Sequence, residues 1–167
     1  MRVLPQQSTK EISDRKQALG CELRAALYLY DEQLFIISAI AGIAEYGIPA
    51  VINANDPDES IGLAICDKLL EFKPRNERDL SKSKLDDWES YKASGAKTGK
   101  YFEQKSVYVY IKTVNSAIEI TAAPRISNEN NLKALCSVSN GNTHSQIGAA
   151  VRKSIQASKV LRSAGML

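Results

Sequence analysis

Two stretches of this 167-residue chain repeat each other, and the repeat limits what the rest can become. Residues 58 to 70, DESIGLAICDKLL, and residues 144 to 156, HSQIGAAVRKSIQ, align at a constant offset, 148 − 62 = 86. Ile61 meets Ile147, Gly62 meets Gly148, Ala64 meets Ala150, Ile65 meets Val151 and Leu69 meets Ile155. Branched residues at i, i+4 and i+8 stack on one face of a helix that turns every ~3.6 residues, so two equivalent amphipathic helices are expected. Each has a start signal. Asp56 is placed to cap the first, with Pro57 in its first turn and Asp58 and Glu59 complementing the positive end. Thr143 and Gln146 fit a capping box for the second. Glycine inside a helix costs about 1 kcal/mol against alanine, so Gly62 and Gly148 predict close approach to a neighbouring backbone.

Strand patterns precede both helices. Residues 21 to 31 and the apolar run Leu34 to Ile43 read as two strands joined by a tight turn at Asp31, Glu32 and Gln33. Gly42 to Pro49 reads as a break, and Ala50 to Asn53 as a short third strand. In the second half KSVYVYIKT alternates, with Val107, Val109 and Ile111 on one face and Tyr108, Tyr110 and Lys112 on the other. Asn115 and Ser116 turn the chain, IEITAAP returns, and LKALCSVSN supplies another strand. The expected fold is α+β: a central antiparallel sheet with two packed helices, built as a duplicated strands-then-helix unit, because neither layer can bury its apolar face alone. The expected organisation is a single domain over 1–167, with halves at about 21–73 and 105–162 and a connector over 74–104. Residues 10 to 19 read as an edge strand or a short helix.

Composition narrows the function classes. A hydrophobic fraction of 44% with 25% charged residues is ordinary for a soluble globular protein. The net charge of +3 does not demand nucleic acid, yet it permits an acidic partner. No acid follows Glu129, whereas Lys133, Arg152, Lys153, Lys159 and Arg162 do; these cations either complement a helix C-terminus or bind a partner. Cys21, Cys66 and Cys136 form no CxxC pair and no metal spacing, and are expected to be reduced, buried thiols. The beginning of the chain lacks an apolar signal core, and no run reaches the ~20 residues of a membrane span. A cytoplasmic location is the matching expectation.

Catalytic constellations are missing. His144 is the single histidine, expected to lie exposed beside a helix cap, so histidine-dependent nucleophile arrangements have no other anchor. Asp86 and Asp87 are adjacent and diverge in any regular element. The segment Ser94 to Gly99 lacks the first glycine of a phosphate-binding loop and follows no strand. A binding module with no catalytic residues, no cofactor and no metal is expected.

Two features suggest how it binds. Tyr28 and Tyr30 stand opposite an aliphatic strand face, as Tyr108 and Tyr110 do; such pairs stack bases, anchor a protein or form a second layer of core. The connector changes composition sharply: LDDWESYKASGAKTGKYF gathers Trp88, Tyr91, Tyr101 and Phe102 among Lys92, Lys97 and Lys100. It is either a packed loop anchored by Trp88 over a sheet edge or a partner-binding surface.

The stretch LDDWESYKASGAKTGKYFEQ, the alternating strand after it, and SQIGAAVRKSIQAS resemble the immunity proteins of bacterial contact-dependent growth inhibition systems, over roughly residues 21 to 160. The resemblance implies a whirly-like fold and a cytoplasmic protein that binds and neutralises, one to one, the C-terminal toxin domain delivered by a neighbouring cell, with a nuclease as the expected toxin. It also implies that a toxin hairpin can add to the sheet at an open edge. Trp88, Tyr91 and Lys97 match the motif; with Lys100, Tyr101 and Phe102 they are the candidate partner-binding residues. The alternative is a single-stranded nucleic-acid binder on the whirly plan, using the Tyr faces and the basic last helix.

Overall fold

A computed structural model describes residues 5–123, 133–139 and 141–164. Helix α1 (Pro5–Leu19) is followed by β1 (Arg24–Tyr30), β2 (Leu34–Ala41), β3 (Ala44–Asn53) and α2 (Asp58–Leu70). Short helices α3 (Glu89–Ser94) and α4 (Gly99–Lys105) lie in the connector. Then come β4 (Ser106–Val114), β5 (Ala117–Ala123), β6 (Ala134–Ser139) and α5 (His144–Ser163). The strands form one antiparallel sheet of order β3-β2-β1-β4-β5-β6, so the first strand of each half pairs at the centre and the third lies at an edge. The α+β fold and the strands-then-helix order are as the repeat predicts. Pro124, Leu132 and Asn140, at the ends of the expected strands, lie outside the described residues.

One sheet face carries Leu27, Ile37, Val109 and Ile120, and packs under Ile61, Ile65, Val151 and Ile155 of α2 and α5 in a common apolar core. The two helices interlock near their beginnings. A Cβ on Gly62 would stand 1.9 Å from the His144 carbonyl oxygen, and one on Gly148 would stand 2.0 Å from that of Asp58. The contacts are images of one another, since 144 − 58 = 148 − 62 = 86. Arg152 adds an asymmetric bond across this joint: its guanidinium reaches the Asp58 carboxylate at 2.6 Å and the Ala54 and Asp56 carbonyls at 2.7 Å each. The image positions, 152 − 86 = 66 and 58 + 86 = 144, hold Cys66 and His144 instead, and there α1 covers the joint.

Several expectations change. His144 is buried, not exposed, because Ser8 of α1 meets its Nε2 at 3.0 Å. Asp56 does not cap α2: Pro57 holds that position without a side-chain bond, and the Asp56 carboxylate accepts from the Asn53 N–H instead. The Thr143–Gln146 capping box is formed. The break expected at Gly42 to Pro49 shrinks to a turn at Gly42 and Ile43, after which β3 runs from Ala44 and bulges over residues 47–49. A glycine and a proline fit there because the outer side of an edge strand needs no ladder donor. The three cysteines are free, but only Cys66 is fully buried, which pushes its thiol up to about 12. The N-terminal segment is a helix, its Ile12 wholly buried. In the connector, the charged stretch over residues 73–84 holds one 3-10 turn, Leu80–Lys82, and the aromatic stretch after it holds another, Leu85–Asp87, with the two short helices.

Candidate functional site

Helices α3 and α4 are six and seven residues long, too short to persist alone in water. Local signals define their ends: Gly95 adopts φ 69° and closes α3, and the Thr98 hydroxyl accepts from the Tyr101 N–H to open α4. Docking holds them. Phe102 is fully buried, its ring 4.9 Å from Trp88, 5.2 Å from Tyr28 and 5.6 Å from Tyr30 between centroids. Tyr91 lies 6.2 Å from Trp88, and the Ser90 hydroxyl meets that of Ser38 on β2 at 2.7 Å. The connector therefore covers the tyrosine face of the first half, making Tyr28 and Tyr30 a second layer of core.

The six candidate residues divide by orientation. Phe102 is interior, and Trp88 and Tyr91 are half-buried supports. Lys97, Lys100 and Tyr101 face solvent, Tyr101 at 42% exposure. Neither lysine has an acidic partner among the described residues, whereas Lys92 is paired with Glu89 and Lys105 with Asp31. Beside the connector, α3 packs on β3, whose bulge presents Ile48 at 85% exposure. The Lys68 ammonium, held by Glu71, donates to the Ile48 carbonyl at 2.9 Å and occupies part of that edge. At the other edge, β6 presents Leu135 at 62% exposure beside Ser137.

Sequence reasoning missed Glu45. Its carboxylate accepts from the Tyr28 hydroxyl and, at 2.7 Å, from the Trp88 indole N–H, and so ties β1, β3 and the connector together. Burial raises its carboxyl above the usual range, against the lowering effect of the Tyr28, Trp88 and Ser90 hydrogen bonds. Burial likewise raises the Tyr28 and Tyr108 hydroxyls, with the Glu45 charge adding to both. The period-2 pattern that would have exposed Glu45 is obscured by Gly42, Gly47 and Pro49, so the segment reads as a break. Among the described residues, no three His, Cys, Asp or Glu side chains gather as a metal site, and no helix is long and apolar enough to cross a membrane.

No protein-family model and no curated protein sequence matches the chain. Solved structures do match its fold. A Neisseria meningitidis protein of unknown function superposes with a TM-score of 0.60 at 15% identity, covering 81% of this chain and 94% of that one. A chain of the CdiA-CT/CdiI toxin and immunity complex from Yersinia pseudotuberculosis superposes with a TM-score of 0.57 at 14% identity, covering 81% of this chain and 96% of that one. The likeness is one of fold.

Proposed function

We propose that the protein is an immunity protein that binds a toxin domain and neutralises it without catalysis. The observation that carries this reading is the superposition on nearly the whole length of a chain from a toxin and immunity complex, 96% of it. The toxin is a nuclease in this reading, bound one to one in the cytoplasm. Its contact region is the outer surface of α4 with Lys97, Lys100 and Tyr101, together with the neighbouring β3 edge. Two ammonium groups without an acidic partner among the described residues and an exposed aromatic ring suit an acidic protein face. A toxin hairpin adding to an exposed strand would supply backbone hydrogen bonds beside those contacts. The nucleic-acid alternative is disfavoured by the burial of Tyr28 and Tyr30, whose faces are covered by the connector and offer no platform for bases.

The test is co-expression with the open reading frame upstream of its gene, native purification, and analysis of the eluate for protein stoichiometry and nucleic-acid absorbance. One co-eluting toxin domain whose nuclease activity is suppressed is the expected result. Nucleic acid without a protein partner, or a co-eluting toxin that stays active, overturns the reading.

A further inference from the structure

Under the connector lies a cavity of about 270 Å³ lined by Tyr28, Tyr108, Trp88 and Glu45, with Ile43 at its rim at 80% exposure. Small-molecule pockets usually begin near about 300 Å³, so this one suits a single side chain and not a folded segment. We propose that it receives a guanidinium group, presented as an arginine side chain by the protein partner of the preceding section. The partner's identity rests on the immunity reading; the chemistry of the cavity does not.

The charge on the walls supports this assignment. The hydrogen bonds to Glu45 come from neutral donors, the Tyr28 hydroxyl, the Trp88 indole and the Ser90 hydroxyl, and among the described residues no cation lies within ion-pair distance of it. Arg78, Lys84 and Asp87 also line the cavity. Arg78 is engaged elsewhere: it donates to the Asp87 carbonyl at 3.2 Å and lies 3.7 Å from the Asp87 carboxylate. Lys84 is exposed. Glu45 is thus a half-buried carboxylate without an ion-pair partner among the described residues, an arrangement that costs stability unless a cation arrives.

Geometry chooses the cation. An ionised carboxylate offers roughly four acceptor positions, and Tyr28, Trp88 and Ser90 use three, so a donor entering the cavity has a position left to fill. Three aromatic rings surround them, with Tyr28 5.2 Å from Tyr108 and 6.0 Å from Trp88 between centroids. A guanidinium is planar, weakly hydrated and able to lie on an aromatic face while donating to a carboxylate, whereas an ammonium loses more hydration on entry. Ile43, at the turn between β2 and β3, lines the cavity with its side chain exposed.

The experiment titrates ethylguanidinium into the full chain while following the indole N–H resonance of Trp88, the single tryptophan, by NMR. A saturable shift in the millimolar range is expected, abolished in Glu45→Gln and weakened at least threefold in Tyr108→Leu, which keeps the carboxylate and removes one wall. Ethylammonium should bind more weakly than ethylguanidinium. A shift that never saturates, or the same curve in both variants, overturns the proposal; if Glu45→Gln does not fold, Tyr108→Leu decides. No toxin enters the titration, so its failure leaves the immunity reading standing, and absence of a toxin partner leaves the titration intact.

Discussion

A methyl group is the smallest change that tests the helix joint. Replacing Gly62 or Gly148 with alanine raises helix propensity by about 1 kcal/mol but drives a Cβ to within 2.0 Å of a partner carbonyl that belongs to the opposite helix's backbone. Backbone cannot swing away as a side chain can, so each substitution should lower stability by about 2–3 kcal/mol, read as an earlier urea midpoint. Gly141→Ala is the control, since the nearest atom to its Cβ is a serine hydroxyl at 3.6 Å. The close approach was legible because the same interruption occurs twice in otherwise well-formed helices. The jobs of Asp58 and His144 were not, because their partners, Arg152 and Ser8, come from distant segments that no local period reports. Glu45 gives a prediction of opposite sign to most acidic residues. Its carboxyl is raised above the ordinary 4.5, so the folded state holds the proton more tightly than the unfolded chain. Its contribution is fully present below 4.5 and is lost as pH rises through the folded value. Glu45→Gln should therefore gain stability relative to the parent as pH climbs toward neutral, measured as a flatter plot of unfolding free energy against pH; a gap that is constant with pH would refute the assignment.

Among the elements, α4 concentrates the residues of the expected interface, and its two sides do different work. Phe102 fixes the helix to the sheet while Lys97, just before it, and Lys100 project outward. Changing both lysines to glutamate should leave thermal unfolding within about 0.5 kcal/mol of the parent, since both side chains are exposed and neither is paired among the described residues. Binding to the toxin should fall about tenfold or more, mainly through slower association that is sensitive to salt. Unchanged affinity would move the interface off this helix. Composition made the connector conspicuous, but it could not say which aromatic rings were interior. That was decided by Tyr28 and Tyr30 on β1, which offer a ready apolar floor for Phe102. The edge strand β3 was read too short for a related reason: a glycine and a proline end most strands, but an edge strand absorbs them as a bulge.

At the scale of the molecule, the sheet is stitched through its middle by strands far apart in sequence, Leu27 facing Val109 and Ala25 facing Ile111. Backbone amides of β1 and β4 should consequently exchange with solvent slowest, and those of β3 and β6 at least tenfold faster, in a native-state hydrogen-exchange experiment. Equal protection across all six strands would refute this. The repeat made the two-half plan legible, but not which strands would meet between the halves. Six strands side by side have two outer edges, and five spacings of about 4.8 Å set them about 24 Å apart. A hairpin joined to one end therefore cannot reach the other, so a molecule occupied by its partner still has a spare valence. A spare valence on a sheet is an invitation to polymerise. With the β3 end taken by the partner, the spare valence is at the β6 end, where Leu135 stands exposed on a regular strand among the described residues, and it is from there that crowded copies would begin to string together.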